Sequence, residues 1–288
     1  MEPRIRELNL QDARNLLPLR DPKGHKGTFG RVLLLCGSRG YTGAASLAAM
    51  GALRSGTGLV YLGVPESIYA IEAVKLQEPV IFPLPDAGGR LDFSAVPEIL
   101  SRLPGIRAVL VGCGLGQSEG TRAVVEAVLQ QASCPVVLDA DGINCICRHK
   151  DILRRRAAPT VLTPHDGEFL RLGGDLSASR LEAAAQMSRD LNAILLLKGH
   201  RTLITDGTVC FRNTTGNSGL AKGGSGDILA GLITGLLGQG MTALEAAACG
   251  AYFHGAAGDI CARELSPYGM IPSDLFSVLP RLINRDGM

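Results

Sequence analysis

Residues 213–231 read Asn-Thr-Thr-Gly-Asn-Ser-Gly-Leu-Ala-Lys-Gly-Gly-Ser-Gly-Asp-Ile-Leu-Ala-Gly, a glycine-rich loop that delivers Asp227 to the start of an apolar helix. The chemistry this suits is phosphoryl transfer. Gly223, Gly224 and Gly226, with Ser225 among them, are expected to turn the backbone through positive φ, while the unpaired N–H groups of a helix over 228–237 face the anion. An aspartate beside such a cradle repels phosphate, and its use there is to take a proton from a hydroxyl attacking that phosphate. The competing use of Asp227 is to cap the helix.

Further polar or glycine-rich turns follow short apolar runs: Gly37-Ser38-Arg39-Gly40-Tyr41-Thr42-Gly43-Ala44, Gly112-Cys113-Gly114-Leu115-Gly116, Asp139-Ala140-Asp141-Gly142, Thr163-Pro164-His165-Asp166-Gly167-Glu168 and Lys198-Gly199-His200-Arg201-Thr202. Ligands of open α/β sheets bind beyond the carboxyl ends of the strands, so these turns describe one cleft. Asp139 and Asp141 read equally as helix caps or as acids holding Mg²⁺ through water. His165, in the company of Asp166 and Glu168, reads as a ligand contact. Lys198 would offset phosphate charge, and Gly199 would let a nucleotide approach the backbone. The Gly112-x-Gly114-x-Gly116 run has Gln117 where a dinucleotide fingerprint needs its third glycine, and no P-loop pattern occurs in the chain.

The elements that must position these turns alternate. Residues 31–36, 58–64, 108–111, 136–139, 160–162 and 194–197 read as strands of a parallel sheet covered on both faces. Helices are expected over 44–55, 120–131, 179–191, 228–237 and 243–262, the last opened by a Thr242/Glu245 capping box. Residues 202–205 and 208–212 flank Asp206-Gly207, a type I′ hairpin signal. The fold expected is α/β: a doubly wound α/β/α sandwich, mostly parallel, with an antiparallel edge hairpin, forming one domain over residues 1–288.

Composition bounds the rest. At 288 residues and 46% apolar content the chain can bury one large core. A net charge of +2, with no basic run interleaved by aromatics, argues against nucleic acid. Eight cysteines show no CxxC pair, as expected of reduced thiols in a cytoplasmic protein. The first residues lack the apolar core of a signal peptide, and neither 228–238 nor 242–261 suits a membrane span.

Taken together, His25-Lys26-Gly27-Thr28-Phe29-Gly30, Gly37-Ser38, Gly43-Ala44, Asp139-Ala140-Asp141-Gly142, Thr163-Pro164-His165-x-Gly167-Glu168-Phe169, Lys198-Gly199 and Gly216-Asn217-x-Gly219 through Asp227 resemble the ADP/ATP-dependent NAD(P)H-hydrate dehydratases of the ribokinase-like superfamily. Cys113 and Asp166 stand where proline is frequent in that family. The resemblance implies a nicotinamide dinucleotide with water added across its ring (NADHX or NADPHX) as substrate, Mg²⁺, and ADP or ATP as phosphoryl donor. It implies Asp227 as general base, with Ala44, Gly114 or Gly116, His165 and Asp227 at the hydrate. Lys198 to Thr202 and Gly223 to Gly226 would hold the nucleotide, and Asp139 and Glu168 would meet Mg²⁺ only through water. It also implies a stand-alone dehydratase, a homotetramer, and a functional link to a separate NAD(P)H-hydrate epimerase. Two alternatives share the cradle: a ribokinase-like kinase of a small vitamin precursor, which also needs Asp227, and a non-catalytic nucleotide-binding protein, which does not. An NAD(P)-dependent oxidoreductase is disfavoured by the degraded glycine fingerprint.

Overall fold

Val32, Leu34 and Cys36 face one layer of helices while Leu33 and Leu35 face the other, and burial on both sides is why this segment reads as an unbroken apolar run. Ala108 and Leu110, against Val109 and Val111, repeat the division in the neighbouring strand. The computed structural model describes residues 3–285. Its strands are β1 (Arg4–Arg6), β2 (Arg31–Leu35), β3 (Leu59–Pro65), β4 (Val80–Leu84), β5 (Asp86–Ala87), β6 (Arg90–Leu91), β7 (Ala108–Val111), β8 (Val136–Leu138), β9 (Thr160–Leu162), β10 (Ile194–Leu197), β11 (Leu203–Thr205) and β12 (Val209–Arg212).

Ten of these form one sheet in the order β1-β12-β11-β10-β9-β8-β7-β2-β3-β4, and β5 and β6 make a separate small hairpin. From β10 through β4 the pairs are parallel, while β11 runs antiparallel to β10 and β12. The antiparallel hairpin is present, and β1 adds one more strand outside it. Its tip is not type I′, because only Gly207 has positive φ (91°). Asp206 instead accepts the N–H groups of Thr208 and Val209, each at 2.8 Å.

Helices Thr42–Arg54, Ser225–Gly238, Ala243–Gly269 and Leu275–Leu282 cover one face, and Val96–Arg102, Glu119–Gln131, Asp141–Ile146, Asp166–Arg171 and Arg180–Leu191 the other. Thr242 caps its helix as expected, though Glu245 bonds the Thr242 hydroxyl (2.6 Å). That helix runs past the expected 262 and breaks at Ser266 (φ 64°), before Pro267. The two helices nearest the site meet backbone to backbone: a Cβ on Gly231 would lie 2.0 Å from the Ala48 carbonyl oxygen, and one on Gly51 would lie 2.5 Å from that of Ile228. Small residues at both positions let helix Ser225–Gly238 lie flat on helix Thr42–Arg54, which fixes where its N-terminus points. Among the described residues no helix is long and apolar enough to cross a membrane.

Candidate active site

The helix carrying Asp227 begins at Ser225, three residues earlier than its apolar pattern suggests, and Gly224 is its N-cap with φ 98°. Positive φ was expected at three glycines and occurs at Gly224 alone; Gly226 is already helical, and Gly223 is outside the left-handed region. Asp227 therefore sits in the first turn and is not the cap. The Ser225 N–H bonds the Lys222 carbonyl and that of Ile228 bonds Gly224, which leaves the N–H groups of Gly226 and Asp227 to point out of the helix end. A Cβ on Gly223 would meet nothing within 4 Å, so this loop borders open space.

Asp227 faces a dense cluster. The Sγ of Cys113 and one carboxylate oxygen each from Asp139 and Asp227 all lie within 4.8 Å of one another. Cys113 donates to Asp139 Oδ2 (3.5 Å), and Asp139 Oδ1 accepts from Thr163 Oγ1 (2.6 Å) and Lys198 Nζ (2.9 Å). The Lys198 ammonium also lies 3.9 Å from Glu168 Oε2. Burial, with repulsion from Asp139, pushes the Asp227 carboxyl up to about 6, against the opposing pull of the Cys113 thiol and Lys198. For Lys198, burial opposes the charge, but Asp139 and Glu168 outweigh it and hold the amine above its ordinary range. A Cβ on Gly226 would lie 3.5 Å from Lys198 Nζ, so cradle, cation and aspartate share one small space.

Other expected site residues have definite structural work. His165 is the N-cap of helix Asp166–Arg171: its Nδ1 accepts from the N–H groups of Gly167 (3.0 Å) and Glu168 (3.4 Å), while Glu168 Oε2 returns to the His165 N–H (2.9 Å). Its ring is otherwise exposed, with Nε2 3.5 Å from Glu168 Oε1. Asp141 accepts the Gly116 N–H (2.8 Å) while Asp139 accepts from Thr163 and Lys198, so the two acids are committed to different partners. Gly114 lies against Ala44, whose Cβ would be 2.7 Å from a Cβ on that glycine. Thr202 Oγ1 donates to the Gly199 carbonyl at 3.0 Å and closes the turn that exposes His200 and Arg201.

Sequence reasoning gave no role to Thr163, His254 or Asp259. His254 Nε2 lies 3.2 Å from Ser225 Oγ, and burial lowers its pKa to about 4, so a neutral imidazole steadies the first residue of the Asp227 helix. Asp259 accepts from the Gly216 N–H and Asn217 Nδ2, both at 2.9 Å, and anchors the loop leading to the cradle. Both lie on the long helix dozens of residues downstream, where no local pattern signals them.

The carboxylates also bear on Mg²⁺. Lys198 occupies the space between Asp139 and Glu168, and Asp139 and Glu168 are already engaged by hydrogen bonds, so these acids fit a cation carried on nucleotide phosphates and water better than one they ligate directly. The thiol of Cys113 makes the remaining cluster a poor one for a hard ion. A groove of about 610 Å³ between helices Asp151–Arg154 and Arg180–Leu191 contains none of the Asp227 cluster.

The family model described as NAD(P)H-hydrate dehydratase matches residues 32–281. The chain belongs to the NAD(P)H-hydrate dehydratase family. It is 37% identical over 282 residues to the ADP-dependent (S)-NAD(P)H-hydrate dehydratase of Bacillus subtilis, with 96% of each chain covered. It is 44% identical over 278 residues to the bifunctional NAD(P)H-hydrate repair enzyme Nnr of Moorella thermoacetica, covering 94% of this chain and 52% of that one. The chain thus spans about half the length of its bifunctional relatives. Among solved structures it resembles a Bacillus subtilis ADP/ATP-dependent NAD(P)H-hydrate dehydratase co-crystallised with ATP/Mg²⁺, at a TM-score of 0.82 and 34% identity over 98% of this chain and 97% of that one. A ribokinase-like superfamily protein from Enterococcus faecalis matches at a TM-score of 0.86 and 26% identity, over 98% and 96% of the two chains.

Proposed function

We propose that this dehydratase-family chain repairs hydrated nicotinamide cofactors, converting the S form of NADHX or NADPHX to NADH or NADPH at the expense of ADP or ATP. The observation that carries the reading is the placement of Asp227: a half-buried carboxyl pushed up to about 6, in the first turn of a helix whose first N–H groups adjoin it. A base of that strength is ionised at neutral pH yet basic enough to accept a proton as an alcohol attacks. Hydroxide is a poor leaving group, as the pKa of bulk water, about 15.7, indicates. Phosphorylation of the ring hydroxyl makes it a good one; loss of phosphate and of a proton from the adjacent carbon then restores the double bond. The sum is hydrate plus ADP giving reduced cofactor, AMP and inorganic phosphate, or the same with ATP giving ADP.

In this reading Asp227 takes the hydroxyl proton, the Gly226 and Asp227 amides hold charge on the moving phosphoryl group, and Lys198 offsets the charge of the donor. Ala44, Gly114, Gly116 and His165 border the hydrate, and Lys198 to Thr202 with Gly223 to Gly226 border the nucleotide. When bound, Mg²⁺ neutralises phosphate charge on the nucleotide. A homotetramer, a cytoplasmic site of action and a functional link to a separate NAD(P)H-hydrate epimerase belong to the same proposal, on the strength of the resemblance. Incubation with hydrate, Mg²⁺ and either nucleotide tests it. Absorbance of the reduced nicotinamide should return only when nucleotide is present; a stable phosphorylated product without that absorbance would instead make the chain a small-molecule kinase.

A further inference from the structure

The chemistry above gives the hydrate no cationic side chain of its own, although this substrate is a polyanion: every nicotinamide dinucleotide carries a pyrophosphate, and NADPHX a 2′-phosphate besides. Two arginines lie beside the turn that borders the hydrate. Arg39 belongs to the turn after β2, and Arg90 to β6 of the small hairpin. The stem of Arg90 lies across Gly116: a Cβ there would be 2.5 Å from Arg90 Nε and 2.9 Å from its Cδ. Arg39 lies against Gly89 in the same way, its Cβ 2.4 Å and its Cδ 3.1 Å from a Cβ placed on that glycine. The missing side chains at Gly116 and Gly89 are what allow both stems to lie down.

Their platform is fixed. The Arg39 N–H donates to the Gly89 carbonyl (2.8 Å), and Asp86 accepts the N–H groups of Gly89 (3.1 Å) and Ser67 (2.7 Å), tying the hairpin to the start of helix Glu66–Lys75. Gly116 itself is held by Asp141 (2.8 Å). Both arginines are exposed, and among the described residues neither guanidinium has a carboxylate or carbonyl partner, whereas Arg122, Arg154, Arg156, Arg180 and Arg189 all do. A guanidinium presents five donors in a planar fork that fits phosphate oxygens in pairs. Two such forks, one laid across Gly116 and the other on Gly89 of the same hairpin, lack only the anion.

The geometry points to a phosphate subsite formed by Arg39 and Arg90 at the mouth of the cleft, which takes a phosphate of the dinucleotide hydrate while its ring lies at Asp227. This rests on the substrate reading above. The subsite adds binding and not chemistry, so its loss should appear in KM and leave kcat alone.

Arg39→Gln, Arg90→Gln and the double variant, with wild type alongside, are assayed on NADHX and NADPHX, and titrated calorimetrically with NAD⁺ and NADP⁺, which need no turnover. The double variant should raise KM about tenfold or more with kcat within about twofold, weaken NADP⁺ binding in parallel, and lose the salt dependence of the wild type; Arg90→Lys should recover part of the loss. A defect confined to NADPHX and NADP⁺ assigns the 2′-phosphate, and an equal defect in both series assigns the pyrophosphate. Wild type that binds NADP⁺ but turns over no hydrate would sink the repair reaction and leave the titration to judge the subsite. Double-variant affinities and KM values within about twofold of wild type would overturn it.

Discussion

Asp227 is useful for the reason it is costly: the burial that raises its basicity also penalises its charge. Asp227→Asn keeps the shape and cannot take the proton, so turnover should fall by about 10² to 10⁴ while nucleotide affinity, measured by calorimetry, stays near wild type. Activity within a few-fold of wild type would remove Asp227 from the chemistry. The pH dependence has a definite sign. As a base with its pKa pushed up to about 6, Asp227 should give a kcat/KM that is flat above that value and falls as the carboxyl protonates below it. Stability should move the other way. The folded chain binds this proton more tightly than the unfolded one, so the ionisation penalty is fully present above about pH 6 and gone below the ordinary carboxylate range near 4. Asp227→Asn should therefore raise the melting temperature at pH 8, a gain on the order of 1 to 3 kcal/mol that disappears at pH 4. At Gly226 the argument is space and not backbone strain, since that residue is helical. Gly226→Val should place methyl groups between Lys198 and the cradle and weaken ADP and ATP binding more than folding, as titration beside a thermal melt would show.

At the scale of elements, Asp227 is aimed by the contact between its helix and Thr42–Arg54. Gly231→Val would drive a branched side chain into the Ala48 carbonyl, a clash with backbone that cannot swing aside. A loss of about 1 to 3 kcal/mol or more is expected, read as a lower melting temperature, with activity at low temperature reduced because the helix is displaced. An unchanged melting temperature would mean that the two helices have room to separate. Strands β2, β7, β8, β9 and β10 were legible because burial on both faces leaves an unbroken apolar run. Strand β1, Arg4–Arg6, was not: all three residues are exposed, Ile5 between two arginines makes no apolar run, and pairing with β12 alone defines the element. Strand β4 contains Pro83, and β5 and β6 are two residues each, too short for any period. The site divides likewise. Asp227, Asp139, Lys198 and the glycine loop stand at chain positions where type and spacing speak, whereas Thr163, His254 and Asp259 act through contacts that only the folded chain creates.

For the whole molecule, the parallel strands bring the turns after β7, β8, β9 and β10 to one end of the sheet, and the helix Ser225–Gly238 brings Asp227 to them. That arrangement suits a kinase as well as a dehydratase up to the transfer of the phosphoryl group; only the fate of the phosphorylated product separates them. The decisive measurement follows reduced-nicotinamide absorbance, inorganic phosphate and nucleotide products together after mixing enzyme, Mg²⁺, hydrated NADH or NADPH, and ADP or ATP. The account predicts one reduced nicotinamide and one phosphate for each nucleotide consumed, with AMP formed from ADP or ADP from ATP. Absorbance restored at the same rate with no nucleotide present would contradict it.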